Sequence, residues 1–382
     1  MRKLEGGIYL KAKVVILGVN HAYQLVSKAC QPAAYRAFFD LVKPDGIGIE
    51  RAPEHFVRGD FYEFTYEQQN IAVPYAMERG IQLHPFDWMG DAEDSSLAWG
   101  IADIEKAPLV RQPHLINDFT HFSVVEEDFF YSERAEIQSR IEEWITHKQK
   151  GQADFPRRLF LYRTFMQAMR IKQLAKQYVG KTLLIVVGHM HKADIEEMLS
   201  METHIEIVQP STFGVPSAAA ILEHQRVEDL CAIAAFNLMG MQQYHPVDRA
   251  WVAEVLDLLH ELKPDYEVEV YRALFNKEGL MGGVLIAMCQ ELYHRLQGDE
   301  RFTYTGIVDE TRIDSYFLPF AALPIKAYVK LMMAKQYVAI KDMEQAEVLK
   351  QELLGELSLS PLKTMQFEGY YERFILGSER NS

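Results

Sequence analysis

Residues 13–17 (KVVIL) form a short β-branched run that stops at Gly18, and residues 46–50 (GIGIE) form a second apolar run ending in a carboxylate. Between them Pro32 stands at a helix start, Tyr35, Phe38, Phe39 and Val42 recur at three- and four-residue spacing, and Lys43-Pro44-Asp45 ends the pattern. Strand, helix and strand within about 40 residues make a βαβ unit, and its two strands run parallel. The chain therefore reads as α/β.

The pattern recurs. Residues 67–79 read as a helix that Pro74 interrupts, and residues 81–86 as a third strand with Asp87 just past its end. Long charged helices are expected over residues 132–150 and 159–178, followed by a clear strand at 182–187 (TLLIVV) that runs into Gly188-His189-Met190-His191. A short helix containing Ile195, Met198 and Leu199 and a strand at 204–208 complete a second strand, glycine, histidine, helix and strand module. From Ala218 onward helical patterns dominate, among them 249–262, 282–296 and 323–354, and the Ala-, Lys-, Glu- and Met-rich stretch 327–354 reads as a helix pair. The expected architecture is a mainly parallel sheet built from βαβ units, in residues 1–215, followed by a mostly α-helical region, 216–382.

A chain of 382 residues exceeds what one core usually supports, which agrees with two parts. With 54 acidic against 40 basic residues and a formal charge of -14, and with no dense Lys/Arg run, nucleic acid is not expected as a partner. Cys30, Cys231 and Cys289 lie far apart without CxxC spacing, which argues against a disulfide scaffold or a thiolate zinc site. Residues 1–13 lack the apolar core of a signal peptide, and no apolar stretch reaches the roughly 20 residues that span a bilayer. A cytoplasmic location without a membrane partner is the expectation.

In open parallel sheets ligands bind beyond the carboxyl ends of the strands. His21 lies just beyond the first strand, Glu50 ends the second, Asp87 follows the third, and His189 and His191 follow the later one. If those strands are parallel, all five residues share one edge. Gly18 and Gly188 allow sharp bending and close approach to a ligand, because neither has a Cβ. Two imidazoles with one or two carboxylates suit a divalent zinc, manganese, cobalt or iron ion, which would turn a bound water into hydroxide near neutral pH. A histidine beside a carboxylate can equally act on water as a general base without a metal. The residue types leave both routes open.

Each feature also has a plain structural reading: Glu50-Arg51 as a surface ion pair, Asp87 as a turn cap, His84 as a strand-packing side chain, Arg163 as a solvated helix charge, Met332 and Met333 as core. An ionised group directly after GIGI is nonetheless seldom placed without a partner. His189 and His191 both qualify as ligands by spacing, and the register of the repeat favours His191.

The two Gly-x-x-His strings (Gly18 to His21, Gly188 to His191) and the strand-end Glu50-Arg51 resemble the TraB/Tiki superfamily, with its erythromycin-esterase-like and ChaN-like relatives. The resemblance covers about residues 13–210. It implies His21, Glu50 and His191 as central residues, and Arg163 resembles an arginine on the helix before the second motif, as Asp87 resembles an aspartate after the third strand. Tyr162 stands where the family commonly has an acidic residue, and Trp88 where it often has an arginine. That superfamily includes metal-dependent proteases, esterases and haem binders. The resemblance thus implies a metal-dependent hydrolase of a peptide, ester or related bond, acting on a small-molecule or peptide substrate. The alternative is a non-enzymatic protein that binds a metal, haem or small ligand and recruits a protein partner, or a second copy of itself, through its C-terminal helices.

Overall fold

The computed structural model describes residues 10–59, 65–88, 128–146, 154–244, 246–276, 282–307, 310–315 and 317–377. The first apolar run forms β1 (Ala12–Val19), α1 (Pro32–Val42) follows, and GIGIE becomes β2 (Gly46–Ile49). Pro32 opens α1, where its missing N–H has no helical partner to lose, and Lys43 closes it in the left-handed region at φ 49°.

After α2 (Pro53–Arg58) comes a π-helical turn, Glu67–Ala72, which continues as α3 (Val73–Arg79) and leads to β3 (Gln82–Pro85). The interruption expected at Pro74 thus takes the form of a widened turn rather than a break. Proline has no N–H, and its ring pushes away the carbonyl four residues earlier, here that of Asn70. That carbonyl accepts instead from Arg36 Nη2 at 2.8 Å, and the Val73 N–H reaches back five residues to Gln68 O.

The later elements are α4 (Ala135–Thr146), α5 (Asp154–Ala175), β4 (Thr182–Gly188), α6 (His189–Ser200), β5 (Ile205–Val208) and α7 (Ala218–Glu223). All five strands run parallel in the order β3-β2-β4-β1-β5. The late strand β4 therefore lies between β1 and β2, and this insertion defines the site. Val19 is level with Gly188 and Ile49 with Val186, so the three central strands end together.

Alternate residues of a strand face opposite sides of the sheet. Val14 and Ile16 of β1 pack with Leu183, Ile185 and Val187 of β4 against Ala168 and Ile171 of α5 and Ile195 and Leu199 of α6. Val15, Leu17, Leu184 and Val186, on the other side, are buried as well. Each such aliphatic side chain contributes about 1.5–3 kcal/mol through burial, so the strand ends rest on a rigid floor.

The described residues up to Gln225 form one compact unit and those from Arg226 onward another. The division falls after α7, and His224 at the end of that helix bonds Asp40 of α1 at 2.7 Å. Among the described residues the second unit is helical: α8 (Val227–Leu238), α9 (Arg249–Leu262), α10 (Tyr266–Asn276), α11 (Gly282–Arg295), α12 (Ile325–Ala339), α13 (Met343–Leu357) and α14 (Pro361–Tyr370). The helix pair expected over 327–354 is α12 with α13, where the buried Lys330 reaches Glu352 at 3.0 Å and Glu356 at 2.6 Å. Met332 and Met333 are buried, as their core reading requires. No helix among the described residues is long and apolar enough to cross a membrane.

Candidate active site

Glu50 lies immediately beyond β2, beside the carboxyl end of β4, and is 4% exposed. Its Oε1 accepts from Arg163 Nη2 at 2.8 Å, and its Oε2 accepts from the Gly188 N–H. His21 Nε2 stands 3.9 Å from Oε2, and His191 Nε2 stands 3.5 Å from Oε1. The two histidines expected after β1 and β4 thus approach opposite oxygens of one carboxylate. Arg51, next in sequence, is also buried, so Glu50-Arg51 is not a surface ion pair.

Hydrogen bonds on the far side of each ring decide which nitrogen faces Glu50. His21 Nδ1 lies 2.8 Å from Glu67 Oε1, and because a carboxylate oxygen accepts, Nδ1–H donates, so that in the neutral ring Nε2 is the acceptor. His191 Nδ1 lies 2.7 Å from Thr164 Oγ1, whose own proton goes to the Phe160 carbonyl at 2.9 Å. The hydroxyl must therefore accept from Nδ1–H, which leaves Nε2 of His191 as an acceptor too. Stacking of the Phe160 ring on the His191 ring, at 4.2 Å between centroids, holds that imidazole in place.

The two imidazoles differ in basicity. Burial opposes protonation of His21, but Glu67, aided by Glu50, outweighs it and raises the pKa above the ordinary 6.5. Burial drives His191 well below that value, and the Arg163 charge pushes the same way, so it is neutral at physiological pH. Burial raises the Glu50 carboxyl against the opposing pull of Arg163 and His21.

Arg163 projects from α5 between two buried carboxylates. Besides Glu50 it grips Asp87 with a two-pronged contact, Nε to Oδ1 at 2.9 Å and Nη2 to Oδ2 at 2.7 Å, and Gln167 Nε2 donates to the same Oδ1 at 2.7 Å. Asp87, 1% exposed, is therefore a partner of Arg163 rather than a turn cap. Arg163 in turn is a structural counter-charge of the site, not a solvated helix charge.

His189 points elsewhere. Its ring packs 5.6 Å from the Tyr131 ring, and burial pushes its pKa down to about 4. Of the two histidines in the second motif, His191 is the one beside Glu50. His84 packs in β3 and bonds Tyr178 Oη at 2.6 Å.

The two glycines serve different needs, and neither has a positive φ. A Cβ on Gly188 would stand 3.1 Å from His21 Nε2 and 3.3 Å from Glu50 Oε2, in the space that those groups face. A Cβ on Gly18 would instead meet Ser132 at 2.9 Å and Lys192 at 3.0 Å, so Gly18 is a packing glycine. Gly188→Ala should fold normally yet shift the His21 ring or the Glu50 carboxylate, since the added Cβ would stand closer to both than ordinary van der Waals contact allows. Histidine NMR alongside a thermal melt checks this, and a Gly188→Ala protein with an unchanged His21 titration would show the space to be unimportant.

Of the metal set expected from sequence, His21, Glu50 and His191 meet, whereas His189 packs on Tyr131 and Asp87 is taken up by Arg163. Among the described residues no group of three or more His, Cys, Asp or Glu side chains is arranged to hold a metal ion. Both Glu50 oxygens already accept hydrogen bonds, and the Arg163 guanidinium occupies the cation position between Glu50 and Asp87. These donors fit a site built around a fixed organic cation better than one built around a resident metal.

Four residues that hold the site were not singled out from the sequence: Glu67, Gln68, Thr164 and Gln167. Thr164 and Gln167 follow Arg163 at the i+1 and i+4 positions of α5, a polar patch that helical periodicity makes readable once Arg163 is suspected. Glu67 and Gln68 had a weaker signal, a Glu-Gln-Gln-Asn string shortly before a proline. Comparison with protein-family models, with curated proteins and with solved structures finds no match for this chain.

Proposed function

We propose that the chain is a hydrolase in which His21, assisted by Glu50 and His191, activates water for attack on an ester, peptide or related bond. The observation that carries this reading is the direction of the two rings: each Nδ1 is held from behind, which leaves the two Nε2 atoms, both beside the one buried carboxylate, as the nitrogens that exchange a proton. In the reaction the water proton passes to His21 Nε2 as the water oxygen bonds to the electrophilic carbon. The same proton then goes to the leaving oxygen or nitrogen. Neutral His191 and Glu50 offer acceptors for the second hydrogen of the water, and Arg163 opposes the rise that burial imposes on the Glu50 carboxyl. The reading agrees with the hydrolases among the TraB/Tiki-like proteins that the two Gly-x-x-His strings resemble. It differs from the metal-dependent form of that chemistry, because the donor set does not fit a metal.

The test is a panel of chromogenic esters and quenched peptides, run on purified protein before and after dialysis against a chelator, with elemental analysis of the same samples. Turnover that survives chelation in metal-poor protein is the expected result. Turnover that tracks a stoichiometric metal would sink the metal-free form, and wild-type protein inert on the whole panel would sink the hydrolase.

A further inference from the structure

Glu67 is fully buried, and its contacts are sparse for a carboxylate in that setting. One oxygen accepts from His21 Nδ1 at 2.8 Å and from Gln68 Nε2 at 3.3 Å, and the other has no hydrogen-bond partner among the described residues. A buried carboxylate with so few donors depends on the nearest one, and here that is Nδ1–H of the His21 ring. The next residue, Gln68, is equally buried and serves the other half of the site. Its Oε1 accepts from the Glu50 N–H at 3.2 Å, and its Nε2 also donates to Val186 O of β4 at 3.3 Å.

Two consecutive residues of an α-helix diverge by about 100° around the axis, so both seldom serve one site. Glu67 and Gln68 open the π-helical turn, whose wider winding reduces that divergence, and the turn arises where Pro74 frees the Asn70 carbonyl. A local irregularity of the backbone thus delivers one side chain to His21 and its neighbour to Glu50.

We propose that Glu67 is the positioning residue that sets the tautomer and basicity of His21, and that the π-turn ahead of Pro74 exists to present it together with Gln68. This rests on the hydrolytic reading for its catalytic meaning, but its physical content can be measured without any substrate. Histidine ¹⁵N NMR on the full chain reads the ring directly. In wild-type protein neutral His21 should carry its proton on Nδ1, and in Glu67→Gln its titration should move to lower pH by about 1–3 units, the usual effect of removing an adjacent opposite charge. Where turnover is present, the acid limb of the pH–rate profile should shift by the same amount, and Glu67→Asp should restore part of it. A wild-type His21 protonated on Nε2 in its neutral form overturns the proposal even if Glu67→Gln fails to fold, and so does a titration that is unchanged in Glu67→Gln. A shifted titration in a protein without turnover supports the Glu67 assignment and removes only the hydrolase.

Discussion

His21→Ala is expected to lower turnover by about 10²–10⁴-fold, the range that a positioned general base contributes. The protein should still fold, because His21 is partly exposed at the end of β1 and the floor beneath it is the apolar sheet. It should not be indifferent to the loss, however. Removing the ring leaves Glu67 buried without its principal partner, at a cost of about 1–3 kcal/mol or more for an orphaned polar group. The double variant His21→Ala/Glu67→Gln should therefore be more stable to urea than His21→Ala alone, while turnover stays as low in both. Equal stability of the two would mean that Glu67 is satisfied by some other group. His191→Ala should also reduce turnover, with a smaller change in its acid limb, since that ring is neutral throughout the relevant pH range.

Arg163→Met is expected to be the most destabilising single change in the site. It strips the cation from between Glu50 and Asp87, which are 2% and 1% exposed at their side chains, and breaking a buried pair from one side typically costs about 3–5 kcal/mol. Arg163→Lys keeps the charge but loses the planar fork that reaches Asp87 with two nitrogens, so it should fall between the wild type and Arg163→Met. The pH dependence gives a sharper check. The folded Glu50 carboxyl sits above its ordinary value because of burial, and Arg163 is the main force holding it down. With Arg163 gone it rises further, so the folded state binds a proton more readily than the unfolded one. Stability of Arg163→Met should then increase as pH falls from neutrality through that raised value. Urea titrations at several pH values measure it, and a variant whose stability falls monotonically with acid would contradict the assignment of Arg163 as the counter-charge.

The exposed surface of the protein has no part in these expectations. They follow from three carboxylates, Glu50, Glu67 and Asp87, each buried to within a few per cent and each bound to a specific nitrogen of His21 or Arg163. On the hydrolytic reading proposed above, such an arrangement helps because a dry, prearranged set of charges does not have to reorganise when the reaction begins.

Much of the site was legible in the sequence, since strand ends are local features. The end of each apolar run marks where the chain leaves the sheet, within a residue or two, and four such ends in parallel strands placed His21, Glu50, Asp87 and the second histidine pair at one edge. Apolar runs before Glu50 and before Gly188 also showed that those positions would be buried. Periodicity, however, says nothing about strand order. Only the tertiary structure decided that β4 inserts between β1 and β2, bringing His191 and Gly188 beside Glu50, because pairing between strands more than 100 residues apart depends on packing summed over the whole sheet. The choice between His189 and His191 was likewise tertiary. Rotation of α6 turns one ring to Tyr131 and the other to Thr164 and Phe160, contacts that no spacing rule contains. Glu67 was hidden for a related reason: its direction is set by a π-turn whose cause, Pro74, is visible in the sequence, but whose geometry also depends on Arg36 reaching across from α1 to take the freed carbonyl. Local propensity determined where the functional residues begin, and long-range packing determined which of them meet.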